Sequence, residues 1–400
     1  MLTAGIICEY NPFHNGHINH ISQTRQRLGE GTAVVCVMSG NFVQRGDFAV
    51  FSKHARAEAA VRCGVDLVVE LPSPYALSSA EGFSRAGVYI LSKLGICDYL
   101  SFGSESGDIG ALAHAAESMS SDESEKLTKH HLQHGIAYAA ARQKAADEML
   151  GAHAEIFRSP NNLLGIEYIK AISEMGGHLK PITIKRAGDA HDSDTGCSGS
   201  ALRKILYRGE HPHIYMPANA SAVYTRETQA GRGPVFMHRA EAAMLSRLRA
   251  ARPEEFAKLP GASEGIDQRL LKYAKTEPTL AAILQKTKTK RYAMSRLRRM
   301  LVCLCLGITA DDTGQPPPYI RVLAMNHTGA ALLRAAKAAS ALPIITKPAS
   351  VHTFPERARE LFDKESAATD LYALSYTDEP SRRGGQEWAT SPVVCKHPCL

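Results

Sequence analysis

Four hundred residues, 44% of them hydrophobic, are enough for two or three domains with substantial cores. No apolar run reaches the roughly 18 residues of a membrane span, and the first strand-like run meets Glu9 at once, which leaves no room for a secretory segment. A cytoplasmic protein with no membrane partner is expected. The formal charge of +7 is too modest to name a polyanionic partner, and nine cysteines without regular spacing exclude a disulfide scaffold.

The chain opens on an apolar run, Ala4 to Cys8, that reads as a buried parallel strand. Asn11-Pro12 turns the backbone out of it. From about Gly16, Ile18, Ile21, Thr24 and Leu28 recur at helical spacing. Between strand and helix lies His14-Asn15-Gly16-His17, an H-x-G-H motif. A helix N-terminus offers unpaired N–H groups and about half a positive charge to an anion. Gly16 has no Cβ to keep the backbone away, and His14 and His17 can each donate to phosphate oxygens on which charge builds during transfer. In this setting the motif points to a nucleotide rather than to a polar loop with satisfied histidines.

Thr32 to Met38 reads as a second buried strand, delivering Ser39-Gly40-Asn41 and Gln44-Arg45-Gly46 to its carboxyl end, where open α/β sheets bind ligands. Arg45 and Lys53 are candidates for phosphate contact, with solvated surface the alternative for Lys53. Lys53 to Cys63 reads as helix, Val65 to Leu71 as a third strand and 79–95 as helix. Tyr99 to Phe102 is a short strand leading to Gly103, whose lack of a side chain suits a base or ribose as well as a plain turn. Residues 108–157 are alanine-rich and charged, a helical insertion. Ser159-Pro-Asn161-Asn162 starts another helix, with Asn161 or Asn162 as cap or ligand contact. Pro181 to Lys185 is a strand followed by Arg186. Ser198-Gly-Ser200-Ala-Leu-Arg203 then opens a helix, where two hydroxyls and a guanidinium fork can hold β- and γ-phosphates.

From about residue 230 the pattern is helical. Residues 286–299 hold seven Lys or Arg and no acid, with Tyr292 among them, and favour a polyanion over a merely solvated face. Lys288, Lys290, Arg291 and Arg298 are the candidate RNA contacts. Cys303 and Cys305 read as core. Cys395-Lys-His-Pro-Cys399 lacks four-ligand spacing, and no metal site is expected from protein ligands alone. Ile320 to Met325 and Ile344 to Ile345 add short strands, and the tail beyond Arg382 reads as loosely ordered.

Glu9-Tyr-Asn-Pro-Phe-His-Asn-Gly-His17 resembles the signature of the bacterial tRNA(Met) cytidine acetate ligases. Met38-Ser-Gly-Asn-Phe-Val-Gln-Arg-Gly46, Asp66-Leu-Val-Val-Glu-Leu-Pro72, Phe102-Gly-Ser-Glu105, Ser159-Pro-Asn-Asn-Leu-Leu-Gly165, Thr289-Lys-Arg-Tyr292 and Leu342-Pro-Ile-Ile-Thr-Lys347 follow in the same order, so the resemblance covers most of the chain. Gly199 replaces a usual alanine, and Asp47-Phe48 a usual Glu-Pro.

The resemblance implies an α/β fold, with a Rossmann-like nucleotidyltransferase core on a parallel sheet over 1–225 and a mainly helical, partly basic region over 226–400 that binds tRNA. It implies ATP with Mg2+ at Ile7, Cys8, Glu9, Tyr10, Asn11, Pro12, Phe13, His14, Asn15, Gly16, His17, Ile18, Asn19 and His20, together with Gly103, Asn161, Asn162, Arg186, Ser198, Ser200 and Arg203. It also implies that acetate is activated as acetyl-adenylate and passed to N4 of the wobble cytidine, C34, of elongator tRNA(Met). From the residues alone, a small-molecule adenylyltransferase and a catalytically silent RNA-binding protein remain the alternatives.

Overall fold

A computed structural model describes residues 1–136, 138–186 and 198–395. The first half alternates strands and helices. These are β1 (Thr3–Cys8), α1 (Asn15–Leu28), β2 (Ala33–Ser39), the small hairpin β3 (Phe42–Val43) and β4 (Asp47–Phe48), α2 (Lys53–Arg62), β5 (Leu67–Leu71), α3 (Ser73–Ala76), α4 (Ala80–Leu94) and β6 (Tyr99–Ser104). The insertion holds α5 (Ile109–Ser118), α6 (Asp122–Gln133) and α7 (Tyr138–Leu150), and the core resumes with α8 (Pro160–Glu174), β7 (Lys180–Lys185) and α9 (Gly199–Tyr207).

Helices dominate the second half. In order they are α10 (Ala218–Gln229), α11 (Glu241–Ala250), α12 (Pro253–Ala257), α13 (Ile266–Thr276), α14 (Leu280–Thr287), α15 (Met294–Leu306) and α16 (Ala310–Gly314). Then come β8 (Ile320–Met325), α17 (His327–Ala339), β9 (Ile344–Ile345), α18 (Glu356–Ala373), α19 (Gln386–Ala389) and β10 (Val393–Val394). No helix among the described residues is long and apolar enough to cross a membrane.

The main sheet runs β10-β8-β5-β2-β1-β6-β7, with β9 paired to β8. Strands β5, β2, β1, β6 and β7 are parallel to one another. Both sheet faces are covered, which is why β1, β2 and β5 read as unbroken apolar runs. Ile6, Val34, Cys36 and Met38 face α1, α2, α9 and α10, whereas Ile7, Val35 and Val37 face α4, α8 and α17. The chain winds outward from β1 through β2 to β5, then returns to the other side of β1 as β6. A crevice must open where the order reverses, outside the carboxyl ends of β1 and β6.

Three expectations change. β8, assigned by sequence to the C-terminal helical region, pairs antiparallel with β5, so this part of the chain completes the N-terminal sheet. Among the described residues, the tail beyond Arg382 is not loose: Val393 and Val394 pair with Ala324 and Met325, and Glu387 is 1% exposed. Its carboxylate meets Lys53 at 2.7 Å and Arg321 at 3.3 Å, an anchor that local composition does not reveal. Finally, Lys53 is 1% exposed and bonded to Glu70, turned into the protein rather than toward a phosphate. Cys399 lies outside the described residues.

Candidate active site

The crevice is a cavity of about 500 Å³. One wall is the loop from β1 into α1. His14 is the N-cap of α1, and its Nδ1 accepts from Gly16 N at 3.1 Å. His17 Nδ1 accepts in turn from His14 N at 3.2 Å. These bonds assign the proton of each neutral ring to Nε2. Gly16 is required for this arrangement, since a Cβ there would lie 2.9 Å from His14 Cε1. The rings lie 3.9 Å apart, and His17 packs against Tyr10 and Phe13. Burial, then the nearby Arg186 and Arg203, lower the His14 pKa to about 4. Burial, then His14 and Arg186, lower that of His17 well below its ordinary value. Both rings are thus neutral at neutral pH, each with a single donor.

The opposite wall is the start of α9. Ser198 accepts from Ala201 N at 3.2 Å as the helix cap, and Ser200 Oγ and Asn11 O accept from the Arg203 guanidinium at 3.0 and 2.7 Å. A Cβ on Gly199 would stand 3.9 Å from His14 Nε2 and 3.4 Å from Arg203 Nη1, ordinary contacts that leave the family's usual alanine room. Arg186 follows β7 and joins Arg45, Lys185 and Arg203 on the lining. Four cations, two neutral imidazole donors and the N-termini of α1 and α9 make this end of the cavity fit a polyphosphate.

Of the residues expected around the nucleotide, Ile7, Cys8, Glu9, Tyr10, Asn11 and Pro12 line the cavity, as do His14, Gly16, His17, Asn19 and His20. Gly103, Asn161, Arg186, Ser198, Ser200 and Arg203 do so from the other elements. Four do not. Phe13 is fully buried, with its N–H donating to the Tyr224 hydroxyl. Ile18 is turned outward and is 38% exposed. Asn15 donates to Ile214 O on the outer side of the loop. Asn162 accepts from Glu105 N and Ser106 N at 3.0 and 3.1 Å, while Glu105 accepts from Asn161 N and Asn162 N. This reciprocal clasp joins the loop after β6 to the start of α8.

Several functional neighbours escaped sequence reasoning. Arg56 is fully buried and donates to Ser39 O at 3.0 Å and to Glu9 O and Gly40 O, tying together the ends of β1 and β2. In sequence it looks like one more arginine of a helix. Leu164 and Tyr168 share a face of α8 with Asn161, a spacing legible in principle once that helix is placed beside the cavity.

The basic segment divides. Lys286 pairs with Glu277, Arg296 donates to Gly261 O and Ser263, and Arg299 donates to Gln44 O. Lys288, Lys290, Arg291 and Arg298 are exposed. Tyr292 is only 6% exposed and donates to Glu264 O, so it is a core residue. Lys290 and Arg291 instead border a groove of about 720 Å³ in which Arg269 and Lys272 flank the ring of Tyr273. The other end of the segment abuts the active-site loop, where a Cβ on Gly46 would fall 2.6 Å from the backbone of Arg298.

A parallel sheet with an H-x-G-H helix start at its reversal point, faced by a second helix start carrying two serines and an arginine, defines a nucleotidyltransferase. Consistent with this, the model of the HIGH Nucleotidyl Transferase family matches residues 1–387. The tRNA(Met) cytidine acetate ligase of Acetivibrio thermocellus is 35% identical, with 98% of this chain and 100% of that protein covered. The one of Alkaliphilus metalliredigens is 36% identical, with 99% of each covered. The crystal structure of Thermotoga maritima TmcAL bound with alpha-thio ATP matches at a TM-score of 0.92 and 31% identity, over 99% of this chain and 100% of that one. The chain belongs to the family of tRNA(Met) cytidine acetate ligases.

Proposed function

We propose that the protein uses ATP to join acetate to N4 of the wobble cytidine C34 of elongator tRNA(Met). A carboxylate oxygen of acetate attacks the α-phosphorus, pyrophosphate leaves, and acetyl-adenylate forms. The cytidine amine then attacks the acetyl carbon, and AMP leaves. Acetate is already ionised at neutral pH, so the first step needs no general base and rests on position and charge stabilisation. The observation that carries this reading is the pair of Nε2–H donors at the start of α1, facing Arg203 across the cavity. These groups would bear on the α-phosphate, with Arg186, Ser200 and Arg203 toward the leaving pyrophosphate.

Magnesium fits this site as a companion of the nucleotide. Among the described residues there is no cluster of three metal-ligating side chains, so the ion would be held mainly by phosphate oxygens and water, as Mg2+ commonly is. Its contribution would be neutralisation of phosphate charge.

The source of the acetyl group tests the reading. With carbon-labelled acetate, ATP and unlabelled acetyl-CoA, label enters tRNA(Met) as N4-acetylcytidine, with AMP and pyrophosphate as products. With the labels reversed, tRNA labelled only from carbon-labelled acetyl-CoA would overturn it.

The exposed residues Lys288, Lys290, Arg291 and Arg298 support a tRNA-binding role for the C-terminal helical region, because they lead from an open basic groove to the rim of the ATP cavity. Replacing Lys288, Lys290 and Arg291 by alanine is expected to weaken tRNA(Met) binding about 10-fold or more at physiological salt. The slope of log affinity against log salt should become shallower by about one for each phosphate that is no longer neutralised. Filter binding across a salt series measures this, and an unchanged slope would place the tRNA elsewhere.

A further inference from the structure

Among the described residues, the cavity is lined by one acidic side chain, Glu9; the resemblance groups it with the nucleotide loop, but the phosphate chemistry above gives its carboxylate no part. A carboxylate beside a triphosphate is electrostatically costly unless it meets a donor of its own. Its placement is fixed from two sides. Glu9 Oε1 accepts from Gln44 N at 2.7 Å, and Glu9 O accepts from the buried Arg56 guanidinium. Gln44 also lines the cavity, and its side-chain Nε2 is buried with no hydrogen-bond partner. An unmade buried donor costs about 1–3 kcal/mol, a cost removed when the side chain turns into the cavity it lines and a ligand there supplies the acceptor. The structure therefore holds a carboxylate acceptor next to an unused amide donor.

That pair stands where two features of the molecule meet. Gln44 O accepts from Arg299 of the basic segment at 3.3 Å, and Gly46 packs on Arg298. A tRNA following the basic residues reaches the ATP cavity at this loop. The Watson–Crick edge of cytosine offers an N4 amine donor beside the N3 acceptor. A Glu carboxylate is a natural acceptor for cytosine N4, and the Gln44 amide can donate to N3. Uracil reverses both atoms, presenting O4 as acceptor and N3–H as donor, so the same pair opposes it.

We propose that Glu9 and Gln44 form the acceptor-base pocket, Gln44 holding N3 of the target cytosine and Glu9 taking the N4 proton during acetyl transfer. This rests on the function proposed above. In the step, the N4 lone pair forms the bond to the acetyl carbon, the bond from that carbon to the adenylate oxygen breaks, and AMP leaves with the electron pair. The amine proton passes to the Glu9 carboxylate and then to solvent. Such a base has to sit within hydrogen-bond reach of the proton it takes, which the pairing of Glu9 to N4 supplies.

Glu9→Gln tests this cleanly, since its amide oxygen can still accept from Gln44 N. In single turnovers from enzyme-bound acetyl-adenylate, acetyl transfer to tRNA(Met) should fall about 10²-fold or more, and far more than acetate-dependent ATP–pyrophosphate exchange. Equal losses in the two assays would overturn the proposal by assigning Glu9 to ATP or to the fold. Gln44→Leu should weaken binding of tRNA(Met) about 10-fold and erase a preference for C34 over U34 transcripts, for which a good base contact gives about 10- to 100-fold. Wild-type protein binding C34 and U34 transcripts equally would likewise overturn it. If wild-type protein exchanges pyrophosphate with acetate but makes no acetylcytidine, the proposed function fails separately, and the C34 and U34 binding comparison still decides the pocket.

Discussion

Alanine at His14 or His17 is expected to lower acetate-dependent ATP–pyrophosphate exchange by about 10²-fold or more, the scale of losing one preorganised donor at developing charge. Each Nδ1 is occupied by a backbone N–H, so each ring has only its Nε2–H to give, and alanine removes it entirely. Because burial keeps the rings neutral, with His14 at about 4, exchange by the free enzyme should show no inflection near the ordinary histidine value of 6.5. His14→Ala also deletes an N-cap, worth about 1 kcal/mol. Asparagine, a strong capping residue, separates the two effects: His14→Asn should recover the stability and leave exchange low. A double alanine variant that still exchanged would remove the histidines from the mechanism.

Replacing Lys53 by methionine is expected to cost about 3–5 kcal/mol of folding stability, the range for breaking a buried ion pair from one side. Lys53 Nζ lies 2.7 and 3.0 Å from the two oxygens of Glu70 and 2.7 Å from Glu387, and all three side chains are 1% exposed. Burial disfavours the Glu387 carboxylate, but Lys53 and Arg321 outweigh it and hold its pKa at about 2. Burial and the Glu70 carboxylate push the nearby Glu365 up to about 8. Methionine fills much of the lysine volume yet leaves Glu70 and Glu387 facing each other with the Lys53 charge gone and Arg321 left to compensate both. Urea denaturation of Lys53→Met measures the loss, and adding Glu387→Gln should return part of it. A change below about 1 kcal/mol would mean that the cluster is hydrated and worth no more than a surface pair.

The same cluster shows where reading the sequence stops. Lys53 and Arg56 open an alanine-rich helix, and nothing local distinguishes them from solvated side chains. Their partners, Glu70, Glu387 and the carbonyls at the ends of β1 and β2, come from distant parts of the chain. Tyr292 shows the complementary limit, since an aromatic within a basic run can stack on a base or fill a core, and only packing shows that this ring is largely buried. The stretch 383–395 reads as loose because its order comes from Glu387 and from pairing with β8. Glu105 and Asn162 were visible as motif members, but their mutual clasp was not.

By itself the sequence determined what short-range pattern can determine. Continuous apolar runs marked β1, β2 and β5 because strands covered on both faces need no polar alternation. The H-x-G-H turn marked the helix start, because cap and glycine requirements lie within a few residues. The serine–arginine start of α9 was legible for the same reason. The tertiary structure alone decided that these two helix starts face each other, that β8 and β10 complete the first sheet, and that Gln44 stands beside Glu9 with an unpaired amide. Each of these depends on loop closure over long stretches of chain and on burial that no local window contains. The cost of leaving a buried charge or donor unpaired then fixes which distant residues must meet.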